Sequence, residues 1–126
     1  MTSEGINNWP CFSPDGKRIT FSSTRHRNYE IYVMNADGSN IRRLTDSPLQ
    51  DIRPRLSPDG KRIVFTRHRN KHYEIYVMDA DGTNVRRLTD HPERDDYPAW
   101  HPDGDRIAFV GERAGSHDVY LMKVHE

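Results

Sequence analysis

The chain has 126 residues, of which 33% are hydrophobic and 30% are charged. So small an apolar share leaves little material for one thick core, and it favours stacked units that each bury a thin face against a neighbour. Nineteen basic and nineteen acidic side chains give a formal charge of zero, which argues against nucleic-acid binding driven by a field over the whole molecule.

The cysteine count and the first residues bear on compartment. Cys11 is the single cysteine, so it forms no disulfide within the chain, and cysteine usage leaves the compartment open. The opening residues, MTSEGINNWP, lack the basic start and apolar run of a secretory signal, and no apolar stretch approaches membrane-spanning length. We therefore expect a soluble chain without membrane insertion, from which a leader removed earlier would leave no trace.

A repeat of 44 residues organises the chain. The run SPDGKRI at Ser13–Ile19 returns unchanged at Ser57–Ile63 and as HPDGDRI at His101–Ile107. Residues 9–48 match residues 53–92 at 26 of 40 positions without a gap, and a third copy from Tyr97 to Glu126 lacks the last quarter of the unit. We predict one segment, 1–126, of three units at approximately 9–48, 53–92 and 97–126.

Within a unit, the residue pattern predicts four short antiparallel strands. Ile19 and Phe21 alternate with polar neighbours, which is strand periodicity, and the apolar run Ile31–Met34 is typical of a strand covered on both sides. The Asp-Gly pairs of the SPDG and ADG turns supply the positive φ of tight hairpins. Pro10 places the first strand at a sheet edge, because proline has no backbone donor. In the first copy the predicted strands are Pro10–Ser13, Arg18–Ser22, Glu30–Asn35 and Ile41–Thr45.

Four-stranded sheets that repeat every 40-odd residues predict an all-β propeller, with each sheet forming one blade around a central channel. The motifs SPDGKRIVF, IYVMDADG and RRLTD, at Ser57–Phe65, Ile75–Gly82 and Arg86–Asp90, resemble the TolB-type propeller repeat. Departures are Phe12 and Leu56, where the family favours the tryptophan kept at Trp100, and His101 in place of the turn serine. The resemblance implies a scaffold that binds protein or peptide partners, and a periplasmic location if a leader has been removed.

Three blades leave a propeller open, since known propellers have roughly 4 to 8 blades. We predict that a second copy completes a six-bladed ring, because an open half-ring would expose the apolar faces of blades one and three and the edge at Asp118–Val124. The partner's segment from Met1 to Ile6 could supply the outer strand that blade three lacks. The alternative is that the chain is a piece of a longer propeller.

The predicted binding site lies on the variable loops. Strand alternation puts the repeated turns on one face, while the loops between second and third strands and the connections between blades share the other, where they differ in every copy. Such loops on a rigid scaffold carry binding residues. The candidates are Trp9, Arg53, Tyr97, Asp95, Asp96, Arg25, Arg69 and Arg113.

Trp9, Arg53 and Tyr97 occupy equivalent positions beside the innermost strands, at the predicted channel mouth. Aromatic and guanidinium groups are enriched at binding hot spots. The alternative is that these three side chains simply pack the blade junctions.

The arginines Arg25, Arg69 and Arg113 recur at the repeat spacing, which predicts a structural partner in each blade, namely Glu30, Glu74 and Asp118. The basic loops RHRN and RHRNKH are typical of solvated hairpin tips. They lack repeated stacking aromatics, so we predict no nucleic-acid partner.

No motif carries catalysis. Asp79, Asp81 and Gly82 have the wrong spacing for a calcium loop, and the seven histidines show no HExxH spacing and no repeat equivalence. There is no GxSxG sequence, and Cys11 has no nucleophile motif. We predict a non-enzyme without cofactor or metal. Two alternatives stay open, a metal-dependent lyase in the channel and a purely structural unit.

Overall fold

In a computed structural model that describes residues 5–70, 72–90 and 93–124, the chain forms three antiparallel sheets. The described ranges contain eleven strands and no helix. The first sheet comprises β1 (Asn7–Phe12), β2 (Arg18–Ser23), β3 (Glu30–Asn35) and β4 (Arg42–Arg43), in that spatial order. The second comprises β5 (Gln50–Leu56), β6 (Arg62–Arg69), β7 (His72–Asp79) and β8 (Arg86–Arg87). The third comprises β9 (Asp95–Trp100), β10 (Arg106–Arg113) and β11 (Ser116–Lys123).

The all-β prediction is confirmed, and the sheets are arranged as part of a β-propeller. We call the three sheets blades one, two and three. Their first strands, β1, β5 and β9, lie side by side and are called the channel strands.

The predicted bounds of the first strand are wrong. β1 begins at Asn7, three residues before Pro10, and it continues through the proline. It does so because the pairing with β2 skips from Asn8 to Cys11. The proline therefore lies in a bulge, where no backbone N–H has to donate to β2. The same skip recurs in β5 and β9.

The fourth strand is also shorter than predicted, two residues instead of five. Past Arg43 one backbone hydrogen bond to β3 remains, because the Leu44 N–H donates to the carbonyl of Ile31. The Ile31 N–H, however, donates to Oγ1 of Thr45. A threonine hydroxyl thus replaces the backbone acceptor, and regular strand pairing ends there.

The core lies between the blades. Ile31 of blade one packs with Ile63, Phe65 and Met78 of blade two, and all four are at least 99% buried. A second cluster joins blade two to blade three through Val64, Ile75, Val77, Ile107 and Phe109. Blade two therefore packs one apolar face against blade one and the other against blade three, as stacked repeats require.

The two outer flanks differ from each other. On blade three, Val119 and Leu121 are 76% and 59% exposed, which confirms the predicted open face. On blade one, the prediction of an exposed face is wrong for Ile19, Phe21, Tyr32 and Met34, which are all buried. Part of the reason is local, since the guanidinium of Arg25 and the ring of His26 lie over Tyr32. Phe12, farther along the same flank, is 64% exposed. The segment predicted to fill blade three in a partner, Met1 to Ile6, lies mostly outside the described residues.

Candidate functional site

The predicted site residues lie on the face formed by the β2–β3, β6–β7 and β10–β11 hairpin loops and the connections between blades, which we call the loop face. The opposite face carries the SPDG-type and ADG turns and is called the turn face. Each channel strand starts at the loop face, so its first residues lie beside those hairpin loops.

Trp9, Arg53 and Tyr97 lie next to one another on the channel strands, as the repeat predicts. All three have the left-handed backbone conformation, with φ of 54°, 55° and 56°. This conformation is uncommon for residues other than glycine, and here it is fixed three times by the bulge before each proline. The bulge therefore orients all three side chains in the same way.

The three side chains form a stack, which we call the ladder. The guanidinium carbon of Arg53 lies 4.9 Å from the ring centroid of Trp9 and 4.3 Å from that of Tyr97, so the cation is held between two aromatic faces. Trp9 in turn contacts Tyr29 at 5.3 Å between ring centroids. Tyr97 ends the ladder, and 52% of its surface is exposed.

Asp96 anchors the ladder from beneath. Its carboxylate is 1% exposed and accepts from both Arg53, at 3.1 Å to each oxygen, and Arg94, at 2.7 Å. The Thr66 hydroxyl and the Tyr97 N–H also donate to it, both at 2.8 Å. A buried carboxylate with this many donors fixes the position of Arg53.

Two further aspartates begin channel strands and pair with hairpin-loop arginines. Asp51 accepts two hydrogen bonds from Arg67, at 2.7 and 3.0 Å, and Asp95 accepts one from Arg113 at 2.8 Å. Both carboxylates are fully buried. The equivalent residue in blade one is Asn7, whose Oδ1 accepts from Arg25 at 3.2 Å. Loop arginines thus tie each hairpin to its own channel strand.

These contacts correct the predicted arginine partners. Arg25 and Arg113 bond to Asn7 and Asp95, and not to Glu30 and Asp118, because a guanidinium at the hairpin tip reaches back to the start of the channel strand. Arg69 has no hydrogen bond or ion pair among the described residues, and it lines a separate cavity of about 570 Å³ at the outer part of the loop face. In blade two the tie is made by Arg67 instead.

Burial and pairing set the charges on this face. Burial alone would lower the pKa of Arg94, but the hydrogen bonds and charge of Asp96 outweigh it and raise that pKa. Burial raises the pKa of the Glu30 carboxyl to about 7, against the Thr45 hydroxyl and the Ser47 N–H, which stabilise its charged form. Burial likewise lowers the pKa of His68, whose ring stacks on Tyr73 at 4.4 Å.

A groove of about 350 Å³ runs along the channel strands, beside the ladder. Its walls are three prolines and small or basic neighbours: Pro10, Pro54, Pro98, Arg55 and Ala99. The groove gives a ligand access to the ladder from the channel side.

Sequence reasoning missed Arg94, Thr66 and Asp51, and it assigned Arg67, in the loop RHRNKH, to a solvated hairpin tip although its guanidinium bonds to Asp51. Asp51 stands 44 residues before the predicted candidate Asp95, at the start of a channel strand, and this repeat spacing is a signal that could have identified it. Arg94 and Thr66 have no such signal, because their hydrogen bonds to Asp96 are not repeated at the equivalent positions of the other blades.

Within the described ranges, no group of three or more histidine, cysteine, aspartate or glutamate side chains is placed to hold a metal ion. Of the seven histidines, His91 and His125 lie outside those ranges. A search of the same residues finds no helix with the length and apolar character to cross a membrane.

A family model for the TolB beta propeller domain matches residues 1–72 and 50–126, so the two matches together span the chain. The chain belongs to the TolB β-propeller family. A TolB-type protein of Agrobacterium tumefaciens has a similar solved structure, with a TM-score of 0.86 and 32% identity over 97% of this chain and 47% of that one. TolB of Acinetobacter baumannii superimposes with a TM-score of 0.80 and 31% identity, covering 98% of this chain and 31% of that one.

The Tol-Pal system protein TolB of Anaeromyxobacter dehalogenans is 47% identical over 43 residues, which are 34% of this chain and 10% of that protein. The chain thus spans less than half the length of each of these relatives. A puromycin-hydrolyzing peptidase of Mycobacterium tuberculosis shares the fold, with a TM-score of 0.81 at 18% identity over 95% of this chain and 21% of that one. Since such a likeness shows the fold alone, the absence of enzyme activity stays a prediction.

Proposed function

We propose that the chain is a propeller scaffold that binds a protein or peptide partner on its loop face, at the ladder. The observation that carries this proposal is the exposed ring of Tyr97 at the end of a rigid stack. Aromatic and arginine side chains held in place before binding lose little conformational entropy when a partner arrives. Membership of the TolB β-propeller family supports a binding role.

The packing role of the ladder does not exclude this function. Arg53 is engaged on both faces and by Asp96, so it mainly holds the stack together. Tyr97, by contrast, is half exposed and lies against the groove. We therefore assign partner contact to Tyr97 and the groove, and positioning to Arg53 and Asp96.

The test selects ligands from a phage-displayed peptide library and measures their affinity by calorimetry. Tyr97→Ala should weaken a selected peptide by about tenfold or more, as loss of a hot-spot ring does, while Tyr97→Phe keeps the ring and most of the affinity. Thr83→Ala on the turn face is the matched surface control. Unchanged affinity in a folded Tyr97→Ala variant would contradict the proposal.

We further propose that a second copy closes the ring. Val119 and Leu121 occupy the positions at which Ile75 and Val77 are covered by the next blade. Phe12 is exposed at the position of Trp100, whose indole N–H donates across the blade junction to the Arg55 carbonyl at 2.8 Å. A partner's blade one against blade three would cover both flanks and add the partner's ladder to this one.

Light scattering on the purified chain tests ring closure. We expect a dimer at micromolar concentration, and Val119→Asp should convert it to monomer because the carboxylate would be buried at the junction. Asp105→Asn, on the turn face, should leave the dimer intact. A monomeric wild-type chain at that concentration would overturn ring closure by a second copy.

A further inference from the structure

The outer edge of β11 is a strand edge that no described residue covers. β10 pairs with one side of β11 along all eight residues, and the third sheet ends there among the described residues. The Val124 N–H donates to the Asp105 carbonyl, so even-numbered residues of this strand face β10. Because alternate residues point in opposite directions, the N–H and C=O groups of Val119 and Leu121 point outward.

Blades one and two show what fits such an edge. In both, the equivalent edge is covered by the sequence Arg-Arg-Leu-Thr, at residues 42–45 and 86–89. In blade two the Leu88 N–H donates to the Ile75 carbonyl at 2.8 Å, and the Ile75 N–H donates to Oγ1 of Thr89 at 2.9 Å. Blade one repeats these contacts at 2.7 and 2.9 Å.

The side chains around the free edge have the same arrangement. Val119 stands where Ile75 stands, and Leu121 where Val77 stands, but they are 76% and 59% exposed instead of 0% and 1%. The threonine hydroxyl of blade two also donates to Glu74 at 2.7 Å. Blade three has a carboxylate at that position, Asp118, which is exposed and forms no ion pair with a described residue. The edge therefore offers backbone groups, apolar side chains and a negative charge to an incoming strand.

We propose that the free edge of β11 binds an extended peptide of the Arg-Arg-Leu-Thr type, which adds to blade three as a fourth antiparallel strand. Backbone pairing to Val119 and Leu121 supplies the affinity, and the side-chain order supplies the selectivity. The threonine hydroxyl reaches Asp118, as that of Thr89 reaches Glu74. The leucine covers part of the exposed apolar surface, as Leu88 packs against the cluster that contains Ile75 and Val77. This site lies at the outer edge of the blade, away from the ladder, and it does not depend on the proposed loop-face function.

The probe is a fluorescein-labelled peptide with the sequence of residues 82–90, GTNVRRLTD, titrated against the full chain and followed by anisotropy. We expect saturable binding and no binding of a scrambled peptide of the same composition. Leu121→Pro removes one outward N–H without removing a bond to β10, so it should weaken binding by about tenfold or more. Leu121→Ala, which keeps the N–H, should weaken it less.

Equal binding of the scrambled peptide would show charge attraction alone and would overturn the proposal. So would full affinity in Leu121→Pro. A dimer that Leu121→Pro dissociates, without peptide binding to the wild type, would assign the edge to a second copy and also overturn it. If Leu121→Pro does not fold, hydrogen exchange on the wild-type chain decides: bound peptide must protect the amides of Val119 and Leu121.

Discussion

The turn face and the loop face satisfy their charged groups in opposite ways. On the turn face, Asp59 accepts from the Ser57 hydroxyl at 2.6 Å and from the Lys61 N–H at 3.0 Å, all within four residues of sequence. On the loop face, Asp96 is bonded by Arg53, which is 43 residues away, and by Thr66, which is 30 residues away. The turn aspartates are mostly exposed and the channel-strand aspartates are buried.

The turn-face bonds stabilise individual blades, whereas the loop-face bonds stabilise the packing of one blade on the next. The bonds of a turn aspartate lie within one blade, whereas the Asp96 cluster joins Arg53 and Thr66 of blade two to blade three and exists only when these two blades are stacked. Gly82 marks a junction on the turn face, because a Cβ there would lie 2.6 Å from the Leu44 carbonyl oxygen. The faces should therefore respond differently to mutation and to pH.

The largest expected effect is that of Asp96→Ala. Removing the carboxylate leaves Arg53 and Arg94 near a buried site without their acceptor, which should lower the free energy of unfolding by roughly 3 to 5 kcal/mol. Urea denaturation followed by circular dichroism measures it. Asp46→Ala, at an exposed pair with Arg43, is the control and should change stability by less than about 0.5 kcal/mol. Equal effects of the two would remove the distinction between buried and exposed charges.

The second prediction concerns pH. The pKa of Glu30 is raised to about 7 from its ordinary value of 4.5, so the folded state holds a proton that the unfolded state releases. Its contribution is fully present below about pH 4.5 and is lost as pH rises toward and past 7. Glu30→Gln mimics the protonated form and should flatten the urea midpoint between pH 5 and pH 8. A wild-type midpoint that rises steadily over this window, with no difference from the variant, would contradict the raised pKa.

The turns of the turn face could be predicted from the sequence, because the hydrogen bonds of their aspartate side chains join residues two to five apart. The SPDG hairpins, the third strand Glu30–Asn35 and the equivalence of Trp9, Arg53 and Tyr97 follow from local pattern and repeat spacing. The partners of Arg25 and Arg113 could not be predicted, because they depend on which strand start lies within reach of a hairpin tip. Burial of the blade-one flank depends on tertiary packing in the same way.

The third prediction tests the turn face with Asp59→Ala. The Ser57 hydroxyl and then the Lys61 N–H hold the pKa of Asp59 below its ordinary value of 3.8. Its contribution is therefore present above that pH and is lost as pH falls, the reverse of Glu30. We expect a loss of about 1 kcal/mol at neutral pH, since one turn network is broken while the blades stay stacked. Denaturation of this variant and of Asp96→Ala under the same conditions should rank Asp96 first.

The smallest expected effect is that of Arg53→Lys, which tests how much the stacking of the guanidinium contributes to the stability of the loop face. An ammonium keeps an ion pair with Asp96 but loses the flat contact with Trp9 and Tyr97, so stability should fall by roughly 0.5 to 1 kcal/mol. Arg55→Lys, on the same strand and exposed, has no stacking to lose and serves as the control. Trp9 fluorescence in a Trp100→Phe background should shift in Arg53→Lys, because the cation over its ring has moved. If neither stability nor emission changes, the guanidinium is not what orders the ladder, and Asp96 must then position Tyr97 through its bond to the Tyr97 N–H alone.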